Sequence, residues 1–343
     1  MTFIDACFKR PTKHTPIWMM RQAGRYLPEY RATRAKAKDF IDFCRRPDLA
    51  AEATLQPIDI LDVDAAILFS DILVIPLEMG MKLEFIEKKG PVFHDPLATI
   101  SDLERLSKAP EDNLGYVYEA VSAIRKSLPA DKALIGFAGS PWTLATYMVE
   151  GQGSKTFEKI KKEVYKNPDF MKALLSMLTE SIKKYLLNQI DAGADAVQVF
   201  DSWGGALEED KFFEFSWKYM LEISEFIKKE RPHVPVILFS KGVGTYMDKI
   251  YGQFAVFGVD WGTPMRLAKE KVFDRYALQG NLEPSRLYDR EQMIAGAEDL
   301  LQLFKNENGH IFNLGHGMIP DLPAENAKEL VAYVHSRSKS LKG

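Results

Sequence analysis

The sequence contains little cysteine and no long apolar run. Two cysteines, Cys7 and Cys44, are too few for a disulfide framework or a zinc cluster, and they fit a reducing compartment. No apolar run reaches the roughly 18 residues of a transmembrane helix. The first ten residues, MTFIDACFKR, lack the apolar core of a signal peptide. These features predict a cytoplasmic protein without membrane insertion.

The chain also lacks an excess of basic charge. Its 343 residues carry a net charge of −3, so no nucleic-acid partner is expected. With 46% hydrophobic and 27% charged residues, the composition is that of a folded globular protein. No Ser- or Gly-rich linker and no tandem repeat divides the sequence. We therefore expect residues 1–343 to form a single domain.

Several common cofactor and catalytic motifs are missing. The sequence has no GxxxxGK[ST] phosphate loop and no GxGxxG after a predicted strand. It has no HExxH, no CxxC and no Cys-His metal spacing, and GxSxG does not occur. These absences predict an enzyme that uses neither a metal nor a nucleotide cofactor.

Short apolar runs that end in small or polar residues recur along the chain. They begin at Ile17, Asp64, Lys132, Asp195, Val234, Val256, Tyr276 and His310. Continuous apolar runs of this length are typical of strands buried on both faces of a parallel sheet. Residues 170–194 and 210–232 have the apolar spacing of helices between such strands. The pattern predicts a (β/α)₈ TIM-type barrel with an N-terminal extension, and a doubly wound open sheet is the main alternative.

A barrel would gather the residues at the carboxyl ends of its strands. The sequence places these polar residues there: Arg21, Gln22, Arg25, Asp71, Ser140, Asp201, Ser202, Lys241, Asp260, Asn281, Glu283 and His316. Because active sites of such barrels lie at this end, we expect these residues to converge on one mouth.

The first of these groups, RQAGR at Arg21–Arg25, favours a binding loop over a solvated helix face. Two arginines four residues apart would repel each other on a helix, and Gly24 disfavours helix there. Guanidinium groups on a loop suit carboxylates or phosphates.

The other candidates each have an ordinary structural reading. Asp71 and Ser202 can cap helices, and Tyr147 has the spacing of a packed helix residue. His316 lies between Gly315 and Gly317 at a strand end, which suits a binding role as well as a structural one.

Taken together, the motifs resemble those of the uroporphyrinogen decarboxylase family. Its signatures correspond here to PIWMMRQAGRYLPEYR and GFAGSPWTLATYMVEGQGS, with FSDIL, VFDSWGG, ALQGNLEP and FNLGHG in the same order. The resemblance implies a (β/α)₈ barrel, a homodimer, no cofactor, and uroporphyrinogen I or III as substrate. It implies decarboxylation of the four acetates of uroporphyrinogen III to give coproporphyrinogen III.

The resemblance also implies the site residues. Substrate-binding residues would be Arg21, Gln22, Ala23, Gly24, Arg25, Phe40, Asp71, Tyr147, Ser202 and His316. Asp71 would stabilise a cationic pyrrole, and Arg21 is the second catalytic candidate. The proton donor stays open between His316 and Arg21.

Two other functions are compatible with such a chain. A methyltransferase of the same barrel superfamily would need a zinc site, but His316 is followed by Gly317 and Met318, and both cysteines lie near the N-terminus. A tetrapyrrole-binding protein without turnover is disfavoured by the presence of Asp71 and both arginines.

Overall fold

The computed structural model describes residues 1–87 and 89–342. The strands in these ranges are β1 (Ala65–Ile67), β2 (Leu83–Ile86), β3 (Gly90–Phe93), β4 (Ala133–Gly139), β5 (Ala196–Asp201), β6 (Val236–Ser240), β7 (Val256–Gly258), β8 (Ala277–Gln279) and β9 (His310–Ile311). Strands β2 and β3 form a separate antiparallel hairpin. The others pair in parallel in the order β1-β4-β5-β6-β7-β8-β9. This order has no reversal, which excludes the doubly wound alternative.

Residues 16–20, here called the closing segment, complete the barrel. Ile17 forms a parallel bridge with Phe312, just after β9. On the other side, the Asp64 N–H, just before β1, donates to the Ile17 carbonyl over 2.8 Å. The closing segment therefore occupies the position of the predicted first strand, although its pairing is reduced to a single bridge. The predicted barrel is confirmed.

Helices follow most of the barrel strands. The α-helices are α1 (Thr2–Cys7), α2 (Pro28–Arg34), α3 (Phe40–Cys44), α4 (Pro47–Leu61), α5 (Val74–Glu78), α6 (Gly115–Ser127), α7 (Pro141–Glu150), α8 (Glu158–Lys166), α9 (Pro168–Asp191), α10 (Glu209–Phe212), α11 (Lys218–Glu230), α12 (Met265–Val272), α13 (Arg290–Leu303) and α14 (Ala324–Lys342). In the part of the chain that the structure describes, no helix has the length and apolar character to cross a membrane.

The helices predicted for residues 170–194 and 210–232 are confirmed. The first is α9, and the second comprises α10, a π-helical turn at Phe213–Trp217, and α11. Two connections between neighbouring barrel strands are short. A 3₁₀ helix at Gly244–Lys249 links β6 to β7, and the eight-residue α12 links β7 to β8.

Asp64 ties three segments together at the amino-terminal end of the barrel strands. Its carboxylate lies 3.0 Å from His14 Nε2 and 2.8 Å from Nε2 of His335 in α14, and it accepts a 2.8 Å hydrogen bond from the Ile17 N–H. Burial alone would raise the pKa of Asp64, but these hydrogen bonds hold it well below its usual value. Across residues 1–87 and 89–342, these three side chains are the one group placed to share a metal ion. They lie at the end of the barrel opposite to the carboxyl ends of its strands.

Candidate active site

A large cavity opens at the carboxyl ends of the barrel strands. Its volume is about 1640 Å³. The predicted site residues that line it are Arg21, Ala23, Gly24, Arg25, Phe40, Asp71, Ser202 and His316. They follow the closing segment, β1, β5 and β9, apart from Phe40, which begins α3. The fold therefore brings together residues that lie almost 300 positions apart, as the barrel interpretation predicts.

Aromatic side chains from consecutive strands form an apolar wall of this cavity. Phe137 of β4 and Phe200 of β5 have ring centroids 5.7 Å apart, and Phe239 of β6 lies 6.0 Å from Phe200. Sequence reasoning missed these residues because a buried apolar position in a strand carries no sign of whether it faces a helix or the barrel interior. The wall offers a flat organic ligand an apolar surface.

Charged side chains on the cavity lining are mainly basic. The basic ones are Arg21, Arg25, Arg34, Lys38, Arg45 and Lys89, and the acidic ones are Asp39, Asp71, Glu84 and Glu87. Arg45 is paired with Glu78, and its ion-pair distance is 2.7 Å. With Arg45 neutralised by Glu78, the described lining keeps five basic side chains against four acidic ones, although the chain as a whole is slightly acidic. A cavity with this small positive excess suits a ligand that carries negative charges.

The RQAGR segment is a loop, as predicted, and its backbone is strained at its first residue. Arg21 has a φ of 60°, a left-handed conformation that is unusual for a residue with a side chain. The structure around the loop holds it in place: the Tyr26 hydroxyl donates to the Gln22 carbonyl over 2.7 Å, and an Arg31 guanidinium donates to the Arg25 carbonyl over 2.6 Å. The conformation of the loop is therefore fixed by contacts within the protein itself.

Gln22 does not have the position predicted for it. Its side chain is 1% exposed and does not line the cavity. Its Oε1 accepts from the Met19 N–H over 3.1 Å, and its Nε2 donates to the Ala65 carbonyl over 3.0 Å. That Gln22 contributes to substrate binding stays a prediction, and its side chain has a structural role in this fold. Gln22 joins the loop to β1, which fixes the loop against the barrel.

Asp71 lies on the cavity lining, three residues before α5 begins at Val74. It does not cap α5. Instead, its Oδ1 accepts a 2.8 Å hydrogen bond from the Leu73 N–H two residues on. Burial raises the pKa of Asp71, while the Leu73 hydrogen bond and the nearby Arg21 charge oppose that rise. The carboxylate therefore lies where a positive charge on a ligand would stabilise its ionised form.

His316 lines the same cavity after β9. Burial, with the positive charges of Arg21 and Lys241, lowers the pKa of His316 to about 4. Its ring meets the Trp261 ring edge to face at a centroid distance of 5.3 Å. Near neutral pH the imidazole is thus uncharged in these surroundings, so it can both donate and accept a hydrogen bond. A free imidazolium as proton donor does not fit this pKa.

Tyr147 lies outside the cavity lining. It belongs to α7, and its ring packs against Trp203 at a centroid distance of 6.3 Å. Burial raises the pKa of Tyr147, with a further increase from Asp71 and an opposing effect of Arg21. The phenol therefore lies within electrostatic range of Asp71, and its substrate-binding role stays a prediction.

Phe40 and Ser202 do line the cavity, and they come from different elements. The Phe40 ring lies 4.8 Å from Phe85 of the β2–β3 hairpin and 6.0 Å from Phe69, so it packs the hairpin against the barrel. Ser202 directly follows Asp201, the last residue of β5.

Asp201 itself is a buried anchor rather than a ligand-binding group. Its carboxylate is fully buried and accepts hydrogen bonds from four hydroxyls, those of Ser140, Thr143, Ser216 and Ser240, over 2.7–3.1 Å. Burial raises the pKa of Asp201, and the hydroxyl donors oppose that rise. These bonds join the ends of β4, β5 and β6, which fixes the position of Ser202.

The remaining strand-end residues also have structural partners. Asp260 accepts from the Thr263 hydroxyl over 2.5 Å and from the Gly242 N–H over 3.1 Å. The Asn281 amide donates to the Asp260 carbonyl over 2.8 Å. Glu283 directly precedes a 3₁₀ helix at Pro284–Tyr288. The polarity of Asp260 and Asn281 therefore serves the loops around the mouth.

Comparisons with known proteins relate the whole chain to one family. The sequence profile of the family described as Uroporphyrinogen decarboxylase (URO-D) matches residues 1–337. The chain is 61% identical over 339 residues to a uroporphyrinogen decarboxylase of a Nitratiruptor species, with 99% of this chain and 100% of that protein covered. It is 60% identical to the uroporphyrinogen decarboxylase of Helicobacter hepaticus, with the same coverage.

Solved structures share the fold at much lower identity. A methyltransferase from Methanosarcina mazei superposes with a TM-score of 0.77 at 19% identity, covering 97% of each chain. A B12-independent methionine synthase from a Shewanella species gives a TM-score of 0.53 at 11% identity, covering 86% of this chain and 88% of that one. These likenesses concern the fold alone.

Proposed function

This chain belongs to the uroporphyrinogen decarboxylase family and is a decarboxylase of tetrapyrrole biosynthesis, and we propose from this premise how its cavity carries out the reaction. The substrate is a flexible macrocycle of four pyrroles that bears four acetates and four propionates. The observation that carries the proposal is that Arg21, Arg25, Asp71 and His316 line one cavity with an aromatic wall.

Arg21 and Arg25 bind carboxylates of the substrate. The basic lining favours this role, since charge-assisted hydrogen bonds from guanidinium to carboxylate are among the strongest in proteins. Phe137, Phe200 and Phe239 pack against the pyrrole carbons. Ala23, Gly24 and Ser202 complete the wall near the bound ring, and neutral His316 exchanges a hydrogen bond with a substrate polar group.

Asp71 binds the pyrrole N–H and stabilises positive charge on the ring. The reaction begins when a proton adds to the ring carbon beside the acetate-bearing carbon, which makes the pyrrole an iminium-like cation. The bond to the carboxylate then breaks, and its electron pair moves into the ring as CO₂ leaves. A second proton adds to the exocyclic carbon to give a methyl group, and the ring loses the first proton. Each turnover thus consumes one proton and releases one CO₂.

This role for Asp71 explains why no electron-accepting cofactor is needed for the step. A fixed carboxylate interacts more strongly with the cationic ring than with the neutral one, so it lowers the barrier rather than only improving binding. Its position beside Arg21 is also suitable, because the guanidinium favours the ionised carboxylate that this role requires.

The test is an assay of the purified protein with uroporphyrinogen III under reducing conditions, with the products separated by chromatography. We expect intermediates with seven, six and five carboxylates and then coproporphyrinogen III. If the protein bound uroporphyrinogen III but formed none of these products, it would be a tetrapyrrole-binding protein without turnover, which is the non-enzymatic alternative. The isomer uroporphyrinogen I in a parallel reaction would measure the isomer preference.

We also propose three general properties. The chain forms one domain, which is supported by a core cluster that includes residues from Phe3 to Val334. It forms a homodimer, as its family relationship suggests, which light scattering would detect as twice the 38.9 kDa chain mass. It works in the cytoplasm, which the free, buried thiols of Cys7 and Cys44 support and cell fractionation would test.

A further inference from the structure

Lys241 follows β6, and both of its backbone polar groups are fixed. Its N–H donates to the Asp201 carbonyl over 3.1 Å, and its carbonyl accepts from the Gly205 N–H over 2.8 Å. The preceding residue, Ser240, donates to the buried Asp201 carboxylate over 2.7 Å. The base of the Lys241 side chain is therefore as firmly placed as Ser202, which lines the cavity.

The Lys241 ammonium group lies between two indole rings at the edge of the mouth. Its Nζ is 5.0 Å from the Trp203 ring centroid and 5.4 Å from that of Trp261. Trp261 is 41% exposed although it is a large apolar side chain, and its ring contacts His316 of the cavity lining. Lys241 and the two tryptophans do not line the cavity themselves, but the Trp261 contact with His316 places the ammonium group beside it, held by aromatic faces.

This cation has no acidic partner. Within residues 1–87 and 89–342, no Asp or Glu carboxylate lies within 4.0 Å of Lys241 Nζ, whereas many other lysines of the chain form ion pairs. Aromatic faces attract a cation but accept few of its hydrogen bonds, so its three donors stay available. Lys211 and Lys269 also lie over two rings, but each of them pairs with a carboxylate. Lys241 differs because its charge is unpaired within the described residues and lies beside a binding cavity.

The position of β6 in the barrel indicates where the Lys241 charge lies relative to Arg21 and Arg25. Counting around the barrel from the closing segment, the order is closing segment, β1, β4, β5, β6, β7, β8, β9. Strand β6 is therefore the fifth of eight positions and lies across the barrel from the closing segment, which is followed by Arg21 and Arg25. A macrocycle with carboxylates on every pyrrole would meet positive charge at both edges.

We propose that Lys241, Trp203 and Trp261 form a second carboxylate subsite, which binds a side chain of the tetrapyrrole on the opposite edge from Arg21 and Arg25. This inference rests on the proposed function and deepens it. The bound carboxylate is one that does not leave in that turnover, because Asp71, which marks the reacting ring, follows β1 next to the closing segment. The subsite therefore contributes to binding rather than to the chemical step.

The test compares Lys241→Met with Lys241→Arg. Methionine keeps an apolar stem between the indoles but removes the charge, whereas arginine keeps the charge. For uroporphyrinogen III we expect Lys241→Met to raise KM by about tenfold or more and to leave kcat within about twofold, since uniform binding is lost. Lys241→Arg should restore much of the affinity. Lys218→Met is the matched control, because the exposed Lys218 lies over Tyr219 on helix α11 and does not line the cavity.

Two readouts independent of turnover accompany the kinetics. The first is equilibrium binding of uroporphyrin I, an oxidised octacarboxylate, by fluorescence, where Lys241→Met should weaken binding by a similar factor. The second is an NMR titration of His316 in the free protein. Because the Lys241 charge lowers the pKa of His316, Lys241→Met should raise it from about 4.

The outcomes separate this inference from the proposed function. An unchanged KM and unchanged uroporphyrin affinity in a folded Lys241→Met protein would overturn the subsite, even with an active wild-type enzyme. A loss confined to kcat would overturn it as well. If the wild-type protein failed to decarboxylate uroporphyrinogen, the proposed function would fall, and the uroporphyrin measurement would still decide whether Lys241 binds a carboxylate.

Discussion

The side chain of Arg21 occupies the space directly above Gly317. A Cβ atom built on Gly317 would lie 2.8 Å from Arg21 Cγ and 2.9 Å from its Nε, which is closer than non-bonded atoms approach. Gly317, which follows His316, therefore sets the position of the Arg21 guanidinium, which follows the closing segment. The contact joins the first and the last segments of the cavity lining.

Gly317→Ala should consequently impair substrate binding without removing any charged group. The added methyl must displace Arg21, so we expect KM to rise by about tenfold or more, as a displaced charge-assisted contact implies. Gly153→Ala is the control, because a Cβ there meets nothing within 4 Å. Equal kinetics of the two variants would show that Arg21 adapts freely.

Asp71→Asn should retain the fold and lose most of the activity. The amide keeps the size of the side chain but cannot stabilise a cationic ring, so we expect kcat to fall by roughly 10²- to 10³-fold. Steady-state kinetics with uroporphyrinogen III measure kcat, and the melting temperature reports the fold. Near-normal turnover would remove Asp71 from the mechanism.

His316 should make the protein less stable in mild acid. Its pKa is lowered from 6.5 to about 4 on folding, so the unfolded chain binds a proton more readily over that interval. Stability from the neutral imidazole is complete above pH 6.5 and declines as the pH falls toward 4. His316→Gln should therefore lose less stability than wild type between about pH 7 and pH 5 in urea unfolding. Identical pH profiles would contradict this assignment.

Asp64 should stabilise the protein in a different pH range. Because folding lowers its pKa, its contribution is present above the unfolded value of 3.8 and is lost as the pH falls below it. At neutral pH, Asp64→Ala leaves His14, His335 and the Ile17 N–H without their acceptor, at a cost of roughly 3 kcal/mol in the free energy of unfolding. Asp131→Ala, an exposed turn residue, should change stability by less than about 0.5 kcal/mol. A similar loss in both variants would reject the anchoring role.

The sequence predicts the fold well because its strands are continuous apolar runs with polar ends. The runs at Lys132, Asp195 and Val234 correspond to β4, β5 and β6, and the predicted long helix corresponds to α9. The β2–β3 hairpin escapes the pattern, because its residues are half exposed and form no apolar run.

The site is only partly predictable for a different reason. Strand ends identify which residues come near the mouth, and Arg21, Asp71 and His316 lie there as predicted. Strand ends do not reveal which polar side chains form hydrogen bonds within the protein instead of facing a ligand. Gln22 and Asp201 have the same polarity as ligand-binding residues, but their hydrogen bonds are formed with Ala65 and with four hydroxyls from distant segments.

The closing segment also determines when the active site can form during synthesis. Ile17 pairs with Phe312, and the Met20 N–H donates to Asn313 Oδ1 over 3.0 Å, so the barrel closure beside the Arg21 loop needs residues that lie far downstream in the chain. Contacts of such long sequence separation form late in folding. A nascent chain that has emerged only past α9 thus has the local contacts of its arginine loop but lacks the barrel closure, and the complete cavity arises only once Phe312 and Asn313 have been added.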